Sequence, residues 1–188
     1  MSAKKLGSAI IISGPSGVGK STVCSRVREM FPELQFSISC TTRKPRPGER
    51  EAVNYYFVSR QTFEDMIRRD EFLEYDDHMG NLYGTPKHQL EEKLFEANVI
   101  LDIEPMGAFA VRKVRPEAVL IFIAPPSMEE LEQRLRGRGD TSDDQIEKRL
   151  ERARWEMEQS TKYDHIVIND QVEACAAQIL NIIAQAAE

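Results

Sequence analysis

The apolar run Ala9-Ile10-Ile11-Ile12 leads directly into Gly14-Pro15-Ser16-Gly17-Val18-Gly19-Lys20-Ser21-Thr22. The spacing G-x-x-x-x-G-K-S, after a strand pattern and ahead of a helical one, predicts a phosphate-binding loop. Its glycines let backbone N–H groups turn inward around the phosphates of a nucleotide. Lys20 adds a point charge, and the Ser21 hydroxyl is available to magnesium. A loop of this kind joins a strand to a helix, so it directs the fold search toward α/β architectures.

The rest of the chain follows that lead. Apolar runs at Ala9–Ser13, Val99–Ile103, Val119–Ile123 and Ile166–Ile168 alternate with helical patterns, the signature of a doubly wound parallel sheet covered on both faces. Helices are predicted over Lys20–Met30, Met128–Arg136 and Asp143–Glu158, the last behind a Ser142-x-x-Gln145 capping box. Val172, Ala176, Ile179, Ile183 and Ala187 recur at helical spacing and predict a final helix packed on the sheet. Between the first helix and Val99 the rhythm changes. Short strands at Phe36–Cys40, Tyr55–Val58 and Phe72–Tyr75, with one helix near Thr62–Arg69, predict an inserted mixed β/α lobe. Gly137-Arg138-Gly139-Asp140-Thr141-Ser142 separates two helices and is placed to hinge or close over a ligand.

Composition narrows the function. The 188 residues suit one domain with a sizeable core. No apolar stretch nears the length of a membrane span, and the run after the N-terminal lysines is too short for a signal peptide. A cytoplasmic protein is therefore expected, with no membrane partner. A net charge of -6 argues against nucleic acid as partner while allowing a local basic pocket for a small phosphate. Cys24, Cys40 and Cys175 are odd in number and lack a Cys-x-x-Cys pair, so they predict apolar packing rather than a disulfide framework or a zinc site. His78, His88 and His165 show no ligand spacing.

A second basic segment, Ser39-Cys40-Thr41-Thr42-Arg43-Lys44-Pro45-Arg46-Pro47-Gly48-Glu49, sets two arginines three apart in a loop of fixed shape, suited to a second phosphate. With it the chain resembles the guanylate kinase family over nearly its whole length. The match runs through Phe36-Ser-Ile-Ser39, Thr41-Thr-Arg-Lys-Pro-Arg-Pro-Gly48, Tyr55-Tyr-Phe-Val-Ser59 and Glu71-Phe-Leu-Glu74. It continues through Gly80-Asn-Leu-Tyr-Gly-Thr85, Ile123-Ala-Pro-Pro-Ser127 and Val167-Ile-Asn-Asp170.

The resemblance implies transfer of the γ-phosphoryl group of ATP to GMP, with magnesium accompanying ATP and dGMP tolerance left open. It implies a core (about 1–36, 93–126 and 156–188), a GMP-binding lobe (about 37–92) and a small helical lid (about 127–155). Arg43, Arg46, Tyr55 and Tyr83 would hold the GMP phosphate. Ser39, Glu74 and Thr85, with Gly84 beside them, would line the guanine. A carboxylate at Glu74 can accept from guanine N1–H and the 2-amino group together, a donor pair adenine lacks. Arg134, Arg138 and Arg149 match the lid arginines that approach the transferring group, Arg138 also contacting ATP, and Asn169 matches an adenine-side contact.

Asp102 closes the run Val99-Ile100-Leu101, where a nucleotide enzyme keeps an acid for the metal's hydration shell. Glu104, two residues on, is expected on the same strand face. Here the chain departs from the family pattern, which usually has aspartate at the second acid and glutamine where Met106 stands, and Pro105 intervenes. Either acid is therefore a candidate for magnesium or for the guanine amino group. Two rival functions are a non-catalytic peptide-binding scaffold and a sugar-phosphate kinase. The first usually lacks the loop lysine and lid arginines, and the second needs no guanine clamp.

Overall fold

The computed structural model describes residues 7–78, 80–137 and 143–186, which pack as two compact units. One comprises the chain up to Ala9 with Leu34–Leu101 and Met106–Ala118. The other comprises Ile10–Glu33, Asp102–Pro105 and the chain from Val119 onward. The larger sheet has five strands: β1 (Ala9–Ser13), β2 (Gln35–Phe36), β7 (Val99–Asp102), β8 (Val119–Ala124) and β9 (His165–Ile168), in the order β2-β7-β1-β8-β9. The pairs β1 with β8, β8 with β9 and β2 with β7 run parallel. β1 is buried along its whole length and β8 at all but Val119. Burial on both faces is why these strands read as continuous apolar runs. From β1 the chain goes first to β2 on one side and later reaches β8 on the other. The carboxyl end of β1 is therefore the topological switch point, where open α/β sheets bind ligands.

Four further strands form a smaller sheet in the order β4-β3-β6-β5: β3 (Cys40–Thr41), β4 (Tyr56–Phe57), β5 (Phe72–His78) and β6 (Asn81–Pro86). β3 runs parallel to β4 and antiparallel to β6, and β5 and β6 form an antiparallel pair. Helix α2 (Arg60–Arg68) starts at Ser59, whose hydroxyl accepts from Thr62 N at 3.0 Å. That cap satisfies one of the N–H groups a helix start leaves open. Phe63 of α2 is wholly buried and stacks on Phe72 with ring centroids 4.3 Å apart, in a cluster with Cys40 and Leu82.

Helices α1 (Lys20–Met30), α5 (Met128–Arg136), α6 (Asp143–Gln159) and α7 (Val172–Ala186) lie where the helical patterns place them. α7 buries Cys175, Ala176, Ile179 and Ile183. Ser142 of the expected capping box and Ala187 lie outside the described residues. Three expectations need correction. The single strand Phe36–Cys40 is two strands in two sheets. Ser37 N donates to Ile100 O at 2.8 Å and Ile38 N to the Gln89 side chain at 2.8 Å, so the chain leaves one sheet at residues 37–39 and enters the other. Two helices have no counterpart in the sequence reading, α3 (Lys87–Leu94) and α4 (Pro105–Val114). Pro105 opens α4, where a missing N–H costs nothing. Strand β7 ends at Asp102, so Glu104 sits on the short link to α4 rather than on the strand face. Among the described residues, no helix is long and apolar enough to cross a membrane.

Because Phe63 is fully buried against an aromatic partner, Phe63→Ala leaves a cavity the small sheet cannot close. It should lower unfolding free energy by about 3–5 kcal/mol, measured by urea denaturation.

Candidate active site

The glycine loop runs from the end of β1 into α1. Gly17 and Gly19 have φ of 91° and 93°, and Gly19 is the left-handed residue at the start of α1. A Cβ on Gly19 would stand 2.7 Å from Asn169 Nδ2, so both conformation and space exclude a side chain there. Val23 N donates to Gly19 O at 3.0 Å, starting the helix immediately after the loop. Two side chains brace the loop's outer surface. Asn169, 3% exposed, donates from Nδ2 to Val18 O at 2.7 Å. Arg134 donates to Asn169 O at 3.1 Å and to Val18 O at 3.4 Å, and its Nε reaches Glu130 at 3.1 Å.

Lys20 extends from the first turn of α1 to both acids. Its Nζ lies 2.8 Å from Asp102 Oδ1 and 3.4 Å from Glu104 Oε1. The hydroxyl of Ser13 donates to Ile103 O at 2.7 Å, fixing the link between the acids from β1. Burial pushes the Tyr163 phenol far up, so it stays neutral. Behind Glu104 stands Glu156 of α6, fully buried. Burial and the charge of Glu104 push its carboxyl up to about 7, against a hydrogen bond from Arg152. The oxygen donors of Ser21, Asp102 and Glu104 are the hard ligands magnesium prefers. Among the described residues no group of three His, Cys, Asp or Glu could cage a metal. Burial raises all three thiols, Cys40 and Cys175 to about 11, as expected for inert packing cysteines.

The other unit holds a second constellation. Arg43 is gripped by Glu49 through two bonds of 2.9 Å, and its Nε donates to the Tyr83 hydroxyl at 3.2 Å. The Tyr55 ring lies under the guanidinium at 5.4 Å and meets Tyr83 edge-on at 5.9 Å. The Arg43 ion pair holds Glu49 below its ordinary pKa. Arg46 meets Glu49 through its backbone, donating its N–H to the Glu49 carboxylate at 2.7 Å and accepting from Glu49 N at 3.0 Å. Among the described residues its guanidinium is unpaired. Glu74 on β5 is 8% exposed and accepts from Thr85 Oγ1 at 2.6 Å. A Cβ on Gly107 of α4 would come within 2.5 Å of Glu74 Oε2, so that glycine admits the carboxylate. Ser39 is half-buried beside β3, its carbonyl accepting from Tyr56 N.

The structure thus brings Lys20, Asp102 and Glu104 together around the loop, and Arg43, Tyr55, Tyr83, Glu74, Gly84 and Thr85 together on the small sheet. Arg149 projects from α6 with a buried Nε and, among the described residues, no carboxylate partner. Its expected alternative, a salt bridge within the acidic helix, is absent there. The Arg134 guanidinium donates to the backbone carbonyls of Val18 and Asn169. Arg138 lies outside the described residues. Sequence reading missed Glu49, Glu156 and Gly107. Gly107 left a signal, since glycine inside a helix costs about 1 kcal/mol and implies a close approach. Glu156 left none, being one acid among many in α6.

A family model described as guanylate kinase matches residues 7–186. Two relatives carrying that name are similar over most of this chain. One from Thermus thermophilus is 48% identical over 94% of this chain and 80% of its own length. One from Synechococcus sp. (strain JA-3-3Ab) is 46% identical over 92% and 80%. The crystal structure of guanylate kinase from Anaplasma phagocytophilum superposes with a TM-score of 0.80 at 34% identity, covering 97% of this chain and 87% of that one.

Glu156 sets a pH dependence that can be measured. An acid whose folded pKa is raised from 4.5 to about 7 binds its proton more tightly when folded. Its favourable contribution is complete below pH 4.5 and is lost as pH rises through about 7. Wild type should therefore lose stability relative to Glu156→Gln across that window, read from urea midpoints at a series of pH values.

Proposed function

Because the chain belongs to the guanylate kinase family and is an ATP:GMP phosphotransferase, we propose that its two units divide the substrates. The glycine-loop unit takes ATP and the small-sheet unit takes GMP. The observation that carries this division is Glu74: a buried carboxylate aimed at a threonine hydroxyl, in a unit whose phosphate-seeking groups are Arg43, Arg46, Tyr55 and Tyr83. Guanine supplies N1–H and an amino group to such an acceptor, and adenine supplies neither in that pattern. Ser39 and Thr85 complete the polar edge. With Lys20 and Ser21 in place, neither the scaffold nor the sugar-phosphate reading gains support from any observed contact.

In the reaction an oxygen of the GMP phosphate bonds to the γ-phosphorus of ATP, and the bond from that phosphorus to the β–γ bridging oxygen breaks, leaving ADP and GDP. Little covalent help is needed from protein, so positioning and charge carry the catalysis. The N–H groups of residues 14 and 16–22 enclose the ATP phosphates, and Lys20 moves its ammonium charge from the two acids toward them. Arg149 supplies positive charge to the equatorial oxygens, as the resemblance assigns also to Arg138. Ser21 and Asp102 would hold hydrated magnesium, which when bound with ATP offsets phosphate charge. Arg134 contributes by bracing Val18 and Asn169, and Asn169 presents a buried Oδ1 on the adenine side. We place the enzyme in the cytoplasm.

A coupled assay across GMP, dGMP, AMP and ribose phosphates tests the reading, with GMP expected as the preferred acceptor. Lys20→Ala should lower kcat by at least about 100-fold with the fold intact by circular dichroism. Glu74→Gln, which keeps size but loses charge, should weaken GMP by roughly 1.5–3 kcal/mol. The loss should appear in KM for GMP with a smaller change in kcat, and an unaltered KM would show that Glu74 does not read the base.

A further inference from the structure

We propose that Gly107 is a specificity-determining residue of the acceptor site: because it has no Cβ, the Glu74 carboxylate seats against the first turn of α4 and holds the plane in which it meets N1–H and the 2-amino group of guanine together. The inference rests on the proposed role of Glu74 as the reader of the base. Glycine is a poor choice inside a helix, where alanine is favoured. Conformation does not demand it here, since Gly107 is not among the glycines of positive φ. Space does. A Cβ built on Gly107 would stand 2.5 Å from Glu74 Oε2, 3.0 Å from Cδ and 3.5 Å from Cγ, the three nearest atoms it would meet. All three belong to one side chain, so the clash would fall on the carboxyl group rather than on packed backbone. Gly107 and Glu74 lie in the same compact unit.

The carboxyl has little room to step aside. Glu74 is 8% exposed, and Thr85, wholly buried, donates to its Oε1 at 2.6 Å. The register of β5 on β6 shifts between Phe72 and Glu74, the kind of irregularity that re-aims a side chain beside a site. With Thr85 at one oxygen and Gly107 against the other, the plane of the carboxylate is set. The start of a helix also favours negative charge, so the bare backbone at Gly107 attracts the group it admits. Guanine presents N1–H and the 2-amino group side by side, and a carboxylate satisfies both only when its two oxygens lie in line with them. Hypoxanthine presents N1–H alone. A carboxylate pushed aside by a methyl at position 107 keeps its charge but loses that alignment, so it can serve one donor and not two. The glycine therefore bears on the choice between purines as well as on packing.

Gly107→Ala, Glu74→Ala and the double variant decide the matter, with steady-state kinetics on GMP and inosine monophosphate and with thermal melts. In Gly107→Ala, kcat/KM for GMP should fall roughly 10-fold, mainly through KM for GMP, the size of one lost hydrogen bond to a charged group. The value for inosine monophosphate should fall less than about three-fold and KM for ATP stay within about two-fold, so the preference for GMP shrinks. In the Glu74→Ala background no carboxyl is left to displace, and adding Gly107→Ala should change the kinetics of neither acceptor. A purely packing role predicts equal losses for both acceptors, or a loss that persists in the double variant. Either result would overturn the proposal, as would an unchanged preference in Gly107→Ala. Should Gly107→Ala fail to fold, removing the Glu74 side chain should restore folding, and a double variant that also fails to fold would refute the proposal. Glu74→Ala alone separates the two readings. If it leaves the preference for GMP intact, Glu74 does not read the base and the site assignment fails; if it erases that preference while Gly107→Ala does not reduce it, only the role of Gly107 fails.

Discussion

One ammonium group between two carboxylates is the contact on which the rest of this molecule is organised. Asp102 and Glu104 repel each other at the end of an apolar strand, and Lys20 is the charge that lets them stay there. Its position comes from the glycine loop, whose shape depends on two residues of positive φ. The positions of the acids come from β7 ending early, Ser13 holding the Ile103 carbonyl and Pro105 starting a helix at once. Moving any of these by one residue would leave a half-buried charge without its partner.

The small sheet uses the same physics with opposite sign. There the organising charge is a guanidinium, held by Glu49 and two tyrosines before any substrate arrives. With Glu49 and Tyr83 engaging its donors, Arg43 is held in place on the small sheet. Glu74 is likewise fixed in advance by Thr85 and by a helix glycine that makes room for it. Side chains locked in this way lose little entropy on binding, so more of each contact appears as affinity.

Much of this was legible in the sequence because the signals were local. The glycine loop, β1, α1, α5 and the apolar face of α7 each announce themselves through spacing, and the structure puts them where spacing predicts. Elements decided by partners distant in sequence were not legible. Residues 36–40 read as one strand because nothing local says that Gln89 and Ile100 pull residues 37–39 between two sheets. Pro105 read as an interruption because its role as a helix start depends on where β7 stops. Motifs name the candidate site residues, but nothing local names their partners. Glu49 and Glu156 are ordinary acids until folding brings one to Arg43 and the other to Glu104. Arg134 shows the converse, a charged residue correctly placed near the nucleotide loop whose hydrogen bonds go to the loop's carbonyls.

Those carbonyl contacts determine how the loop meets an anion. The oxygen of Val18 is drawn outward by Asn169 and Arg134 together. In a trans peptide the carbonyl and the following N–H point in opposite directions. Pinning that oxygen on the outside therefore turns the N–H of Gly19 toward the loop's interior. The peptide plane is set before nucleotide binds, and no rotation is required when the phosphate arrives. A residue on α5 and another at the end of β9 thereby fix the direction of one peptide plane in the glycine loop.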